Sequence, residues 1–306
     1  MAGVYRPYFY KLLHLLHIKL HYQPSSGNFA VVNSLKRATE CDPALLLALI
    51  ADSIIIRKVQ KQNNQASHLG AYLTVVLAIL LGGGSLLLLG IFLVLGSFTL
   101  LDFGLSIQAA LVLDGLLCLA FFIQHSGMVR RSFQRRFDAV VSTPYHNAIY
   151  AIASGMVLLA LLLLWQRTEP VVISIHGPLR WCLHAALLAS LAGFFWGMRS
   201  LGAFDALGIQ PVLARVGNKP AQVMPLAVRG AYRWVRHPLY TSSLLLIWAQ
   251  PDLTYDRILF NLTWTGWIII GSLLEERDLL ANFGEAYASY QRKVPMLIPW
   301  RIPRDD

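Results

Sequence analysis

An all-α integral membrane protein with about five or six transmembrane helices is the fold class this sequence predicts, and three observations lead there. Hydrophobic residues make up 56% of the 306-residue chain and charged residues only 14%, whereas a water-exposed surface uses roughly 25% charged residues. The mean hydropathy is +0.53, and the apolar residues fall into runs of the roughly 20 residues that cross about 30 Å of hydrocarbon. Finally, the net charge of +10, from 26 Lys and Arg against 16 Asp and Glu, collects between those runs. A soluble enzyme core, a disordered chain and a fibrous repeat are excluded by the same composition.

Residues 1–65 read as a separate N-terminal extension, interfacial or poorly ordered. Tyr10–Tyr22 is a short basic amphipathic stretch, Pro43–Ile56 is apolar but short and interrupted by Asp52, and Gln60–Gln65 is polar low complexity. A signal peptide is not expected, because the first long apolar run begins only at Leu69. The membrane domain is placed at 66–306. Leu69–Leu101 is free of charge, forming one long tilted span or one broken at Gly82–Gly84. Further spans are expected near 106–124, 147–166 and 181–198, followed by a helical hairpin with a short arm near 238–250 and a longer one near 258–274.

The loops divide by charge. Arg130, Arg131, Arg135 and Arg136 lie in one, Arg199, Arg215, Lys219, Arg229, Arg233 and Arg236 in another, and the alternate loops hold only Arg167, Arg180 and Arg257. Cytoplasmic loops collect Lys and Arg, so six crossings place both termini and both basic loops in the cytosol. This sidedness accounts for most of the net charge, and nucleic acid is not an expected partner. Cys41, Cys118 and Cys182 are widely spaced and odd in number, implying neither a disulfide framework nor a zinc site. No metal is expected.

Polar groups in a bilayer are costly unless they face a partner or a wet cavity, and four clusters qualify as functional candidates. Arg236-His237-Pro238-Leu239-Tyr240 opens the fifth segment. Proline suits the first turn of a helix, and the free amides there attract an anion, although basic and aromatic residues also anchor membrane interfaces. Glu275-Glu276-Arg277-Asp278 follows the last apolar run, where two acids at a helix C-terminus are electrostatically unfavourable. In the tail, Tyr287 and Tyr290 share one helix face and either pack or cover a site. Gln124-His125-Ser126 ends the second run, and His125 lies eleven residues, about three turns, after Asp114 on one helix face. As a pair, Asp114 and His125 are candidates for proton acceptance or substrate contact.

Taken together, RHPLY, EERDLL about 35 residues later, and FGEAYASYQRKVPMLIP resemble the isoprenylcysteine carboxyl methyltransferase superfamily over roughly residues 228–300. The QHS motif with its Arg-rich sequel, Met128–Phe137, is similar to the branch holding methanethiol S-methyltransferases, NnrU proteins and nurim, which extends the resemblance to about 70–300. Two positions depart from the pattern. Ser242 stands where glycine is usual, which would tighten the cofactor pocket, and Tyr145-His146-Asn147 replaces an acidic-basic pair.

The resemblance implies an integral inner-membrane enzyme with a cytosolic cofactor site. It would transfer a methyl group from S-adenosylmethionine to a small lipophilic thiol, methanethiol giving dimethyl sulfide. His237, Pro238 and Tyr240 would line the cofactor site, Arg236 would face the carboxylate end, Glu275 and Glu276 the ribose or amino group, and Tyr287 and Tyr290 would cover it. The thiolate is the nucleophile, and His125 is the first candidate to take its proton. Alternatives are a prenylcysteine carboxylate or another lipophilic acceptor, or a non-catalytic nurim-like scaffold.

Overall fold

The computed structural model describes residues 68–302, apart from 203, 218 and 220–225, so the expectations for residues 1–65 lie outside the described residues. In chain order the elements are α1 (His68–Leu95), α2 (Ile107–Val129), α3 (Arg131–Phe137), α4 (His146–Leu164) and β1 (Val171–Ser174). After them come α5 (Gly177–Leu201), α6 (Ile209–Val216), α7 (Pro238–Trp248), β2 (Asp252–Thr254), α8 (Tyr255–Phe283) and α9 (Glu285–Lys293). Among the described residues, α1, α2, α4, α5 and α8 are long and apolar enough to cross a membrane. The protein is thus an all-α integral membrane protein whose one small sheet is the antiparallel pair β1–β2.

The boundaries follow from local chemistry. α1 runs unbroken through Gly82–Gly84 by widening into a π-helical turn at Ala78–Gly83, a form common at irregular points inside helices. A Cβ on Gly155 of α4 would strike the Leu81 carbonyl there, so the two backbones are in direct contact. α1 stops at Leu95 because Gly96 takes φ +94°, a left-handed conformation that glycine adopts freely; residues 96–101 therefore lie outside the helix. Ser106 caps α2 by accepting a hydrogen bond from the Ala109 amide (3.3 Å). Pro238 opens α7 at its first turn.

α7 has 11 residues, about 16 Å at 1.5 Å per residue, which falls short of the hydrocarbon thickness. Antiparallel to α5, it packs so that Leu239 lies against Gly197 and Ser242 against Gly193. Ser242 consequently faces α5, not the RHPLY cluster; the expected tightening of a cofactor pocket at this position is corrected to a helix–helix contact.

At the far end β1 and β2 pair Val171 with Thr254 and Ser174 with Asp252. Arg180 donates twice to the Asp252 carboxylate (3.0 and 2.7 Å), and Ser174 Oγ donates once (2.6 Å). α8 begins at Tyr255, which moves Asp256 and Arg257 from the expected connector into its first turn, both fully buried. Asp256 accepts from Trp165 Nε1 (3.0 Å) and from the Thr168 amide and hydroxyl (2.9 Å each). Arg257 donates to the Phe92 and Leu93 carbonyls (3.1 and 3.2 Å) at the open end of α1, with its guanidinium over the rings of Phe92 and Phe260. Helix C-termini leave such carbonyls unpaired, and a buried cation answers them. From this hairpin end an aromatic core of Phe92, Trp165, Phe260, Trp264 and Phe121 runs through the bundle.

Candidate functional site

Both basic loops and the C-terminal helix meet at the opposite end of the bundle. α7 begins beside Gly197, about one turn short of the end of α5, which recesses Arg236 and His237. The tail is laced to this recess: the Arg236 amide donates to the Pro295 carbonyl (2.9 Å), the His237 amide to the Met296 carbonyl (3.1 Å), and Thr241 Oγ1 to the Leu297 carbonyl (2.7 Å).

α8 continues to Phe283, two turns past the last apolar run. Glu275 and Glu276 therefore sit within the helix, and the expected penalty for acids at its C-terminus does not arise. Arg236 grips Glu276 with two parallel bonds, Nε to Oε1 (2.6 Å) and Nη2 to Oε2 (2.9 Å), while Nη1 donates to the Gln291 (3.1 Å) and Val294 carbonyls. Gln291 Nε2 adds a further bond to Glu276 (2.9 Å), and His237 Nε2 lies 3.2 Å from it. Side-chain exposures of 10% for Arg236 and 11% for Glu276 make this a largely desolvated, fork-to-fork pair. Four of the five guanidinium hydrogens are committed internally.

Glu275 differs from its neighbour. Its side chain is 46% exposed and accepts from Tyr240 Oη (2.8 Å). Tyr240 stacks on His237 (5.4 Å between centroids, 17°), and buried Pro238 forms the floor of the same turn. Tyr287 and Tyr290 are both buried, packed edge to face at 5.8 Å. Tyr290 Oη donates to the Tyr232 carbonyl (2.5 Å), while the buried Tyr287 hydroxyl makes no well-aligned hydrogen bond and has the Arg236 guanidinium as its polar neighbour. Burial pushes both phenols up, which keeps them protonated donors at neutral pH. Arg277 and Asp278, although contiguous with the acids, turn away into a separate groove of about 330 Å³ with Arg130, Leu274 and Ala281.

The QHS motif lies in the last two turns of α2, and each of its side chains ties α2 to another helix. Gln124 Nε2 reaches Ser154 Oγ of α4 (3.4 Å), His125 pairs with Tyr150 Oη of α4, and Ser126 Oγ accepts from Trp267 Nε1 of α8 (3.0 Å). Asp114 and His125 are not a working pair. Eleven residues of helix hold them about 16 Å apart, and Asp114 accepts from the Gln166 amide (3.0 Å) toward the hairpin end. Tyr150, which bonds His125, is an electrostatic neighbour of Tyr240, as are Glu275 and Tyr232.

Sequence reasoning passed over Tyr150, Tyr232, Gln291 and Trp267. Tyr150 carried a signal: with Ser154 it places two hydroxyls one turn apart on an otherwise apolar span, opposite Gln124 and His125. His146 pairs with Asp138 (3.5 Å) and with the Val141 carbonyl (3.0 Å), which fixes the loop before α4. Among the described residues no three His, Cys, Asp or Glu side chains are grouped to hold a metal ion.

With this geometry in view, the relatives can be set beside it. The family model described as NnrU protein matches residues 115–275, from mid-α2 to Glu275. A methanethiol S-methyltransferase of Pseudomonas sp. (strain GM41(2012)) is 36% identical over 65% of this chain and 76% of its own length. One of Mycobacterium tuberculosis is 34% identical over 63% and 80%, and nurim of Xenopus laevis 25% identical over 56% and 63%. No solved structure matches. The chain belongs to the NnrU family and is, like its methanethiol S-methyltransferase relatives, a membrane methyltransferase.

Proposed function

We propose that this methyltransferase takes its methyl group from S-adenosylmethionine and passes it to a small thiol, methanethiol giving dimethyl sulfide. The observation that carries the reading is the contrast between the two adjacent acids: Glu276 is locked to Arg236, while Glu275 stands half-exposed beside Tyr240 and stacked His237. The donor presents a sulfonium, an ammonium, a carboxylate and two ribose hydroxyls, so it needs an acceptor of hydrogen bonds and a cation close together. Glu275 supplies the first, and Arg236 with the neighbouring Tyr287 hydroxyl the second. The chain's own groups therefore fit the donor.

When bound, S-adenosylmethionine supplies an activated methyl group. In-line displacement at that carbon needs chiefly positioning and exclusion of water. Arg236 and Glu276 hold the tail against the start of α7, His237, Pro238 and Tyr240 line the site, and Tyr287 and Tyr290 cover it. His125 receives the thiol proton. The charge of the basic loops supports a site on the cytosolic side of a bacterial inner membrane.

A scaffold reading draws on the nurim relatives and on the mutual satisfaction of Arg236 and Glu276. Transfer of labelled methyl from S-adenosylmethionine to methanethiol by the detergent-purified chain separates the two. Volatile labelled dimethyl sulfide, lost in Glu276→Ala and reduced in Glu275→Gln, is the expected result. Donor binding without transfer would discard methanethiol, and no donor binding at all would leave the scaffold.

A further inference from the structure

His125 is half-buried and has an aromatic ring on three sides. Phe121 lies 5.1 Å away between centroids, Tyr150 5.0 Å and Trp267 5.1 Å. A second layer fixes these walls: Phe122 stacks on Trp267 (4.9 Å, 11°) and Trp264 on Phe121 (5.4 Å, 15°), while Ser126 anchors the Trp267 indole. Tyr150 Oη is 2.7 Å from His125 Nε2 and 3.0 Å from Nδ1. The lone-pair and N–H directions of the two ring nitrogens diverge in the ring plane, so one oxygen cannot align with both. One nitrogen is left without a well-directed partner. Gln124 Oε1, in the same turn of α2, is buried and also has none.

We propose that this aromatic box is the acceptor site, that it takes a small uncharged thiol, and that Phe121 and Trp267 set the size it admits. The inference rests on the methyltransferase reading above. Sulfur is soft and polarizable and favours aromatic edges and faces, whereas the box residues Phe121, Tyr150 and Trp267 carry no charge to meet a carboxylate. An acceptor such as prenylcysteine would set its carboxylate among rings, at a high desolvation cost. Tyr150 acts as a positioning residue: its hydroxyl fixes the imidazole while its ring forms one wall of the box. In the step itself the thiol S–H bond breaks and its proton goes to the available His125 nitrogen. The sulfur electron pair forms the new S–CH3 bond, and the sulfonium C–S bond breaks, its electron pair staying on the sulfur of neutral S-adenosylhomocysteine. The imidazolium then returns its proton to water.

The test compares methanethiol, ethanethiol and butanethiol as acceptors for the full-length, detergent-purified chain and for Phe121→Ala, Trp267→Phe and Tyr150→Phe. In wild type the preference should fall steeply with thiol length. Phe121→Ala should raise butanethiol relative to methanethiol by about tenfold, with KM for S-adenosylmethionine held within about twofold. The milder Trp267→Phe, which keeps an aromatic wall, should move the ratio in the same direction by less. Tyr150→Phe should lower kcat by about a hundredfold without changing KM for the donor. Loss of activity shared equally by all three thiols, or a change confined to donor KM, would overturn the box while leaving the methyltransferase reading intact. No transfer by wild type to any of the thiols would overturn both.

Discussion

At the hairpin end Asp256 and Arg257, adjacent in sequence and fully buried, make their hydrogen bonds to different partners: an indole and a threonine for one, the open carbonyls of α1 for the other. At the basic end Arg236 and Glu276, 40 residues apart, are bonded to each other twice and hold the tail between them. The first arrangement uses charge to finish helix ends. The second brings three distant segments together and leaves a spare acid, Glu275, at the surface they create. Buried charge therefore does not by itself mark a site in a membrane bundle; the candidate site is set apart by buried charge adjoining an incompletely satisfied, accessible group.

The largest effect that would test this contrast comes from splitting the basic-end pair. Glu276→Ala leaves a largely buried guanidinium uncompensated, and breaking such a pair costs about 3–5 kcal/mol; methyl transfer should fall by at least about a hundredfold, since a misplacement of about 1 Å suffices. The double variant Arg236→Met with Glu276→Leu should regain most of the melting temperature and none of the activity. Recovery of activity along with stability would reduce this pair to the same role as the one at the hairpin end.

Next in size is Arg257→Leu, which strips the Phe92 carbonyl of its side-chain donor, leaves the Leu93 carbonyl only Gln250 Nε2 (2.7 Å), and should destabilise by about 2–4 kcal/mol. KM for S-adenosylmethionine should be unchanged in the protein that remains folded. A change in that constant would mean that the two ends communicate through α8.

How much of this was legible in the sequence differs between the ends. The membrane class and the apolar runs followed from hydropathy and loop charge, because these are one-dimensional signals, whereas a shared site for the motifs was what the resemblance implied. The pairing of Glu276 with Arg236 was not foreseen: the resemblance gave both as separate cofactor contacts, and nothing in a spacing of 40 residues says which acid faces the arginine. The continuation of α8 through Glu275–Phe283 was hidden because hydropathy marks where the lipid ends, not where the helix does. Asp114 and His125 were paired by helical periodicity, which gives a shared face but not nearness. Their true partners are Tyr150 on α4 and Gln166 just past its end, and only the packing of α2 against that segment reveals them.

A smaller effect, and a sharper one, is expected from Glu275→Gln. The side chain is half-exposed, and its bond to Tyr240 survives as a neutral one, so melting should move little. Loss of the charge should weaken hydrogen bonds to the donor's hydroxyls or ammonium and raise its KM about tenfold. This variant would separate ligand contact from scaffold support, which Glu276→Ala cannot do because it disturbs both.

The smallest expected effect lies at the hairpin end, where Asp252 pins β2 to α5. Hydrogen bonds from Arg180 and then Ser174 hold its carboxyl down at about 2, below the ordinary 3.8. A carboxyl depressed in the folded state contributes stability that is fully present above its unfolded pKa and lost as pH falls through the folded one. The loss should therefore fall between about pH 4 and pH 2, with none between pH 5 and pH 8. Both side chains are more than a third exposed, so solvent screens the pair and its contribution is modest. Amide exchange at Ile175, whose N–H donates to the Pro251 carbonyl (3.0 Å), reports this pin directly. Exchange there should quicken below pH 4 relative to other protected amides in wild type, and should show no such extra step in Asp252→Asn, whose methyl transfer at neutral pH should equal wild type. An identical acid step in the variant would assign the loosening to another group and leave the hairpin end without a titrating contact, making the two ends differ more than their geometry suggests.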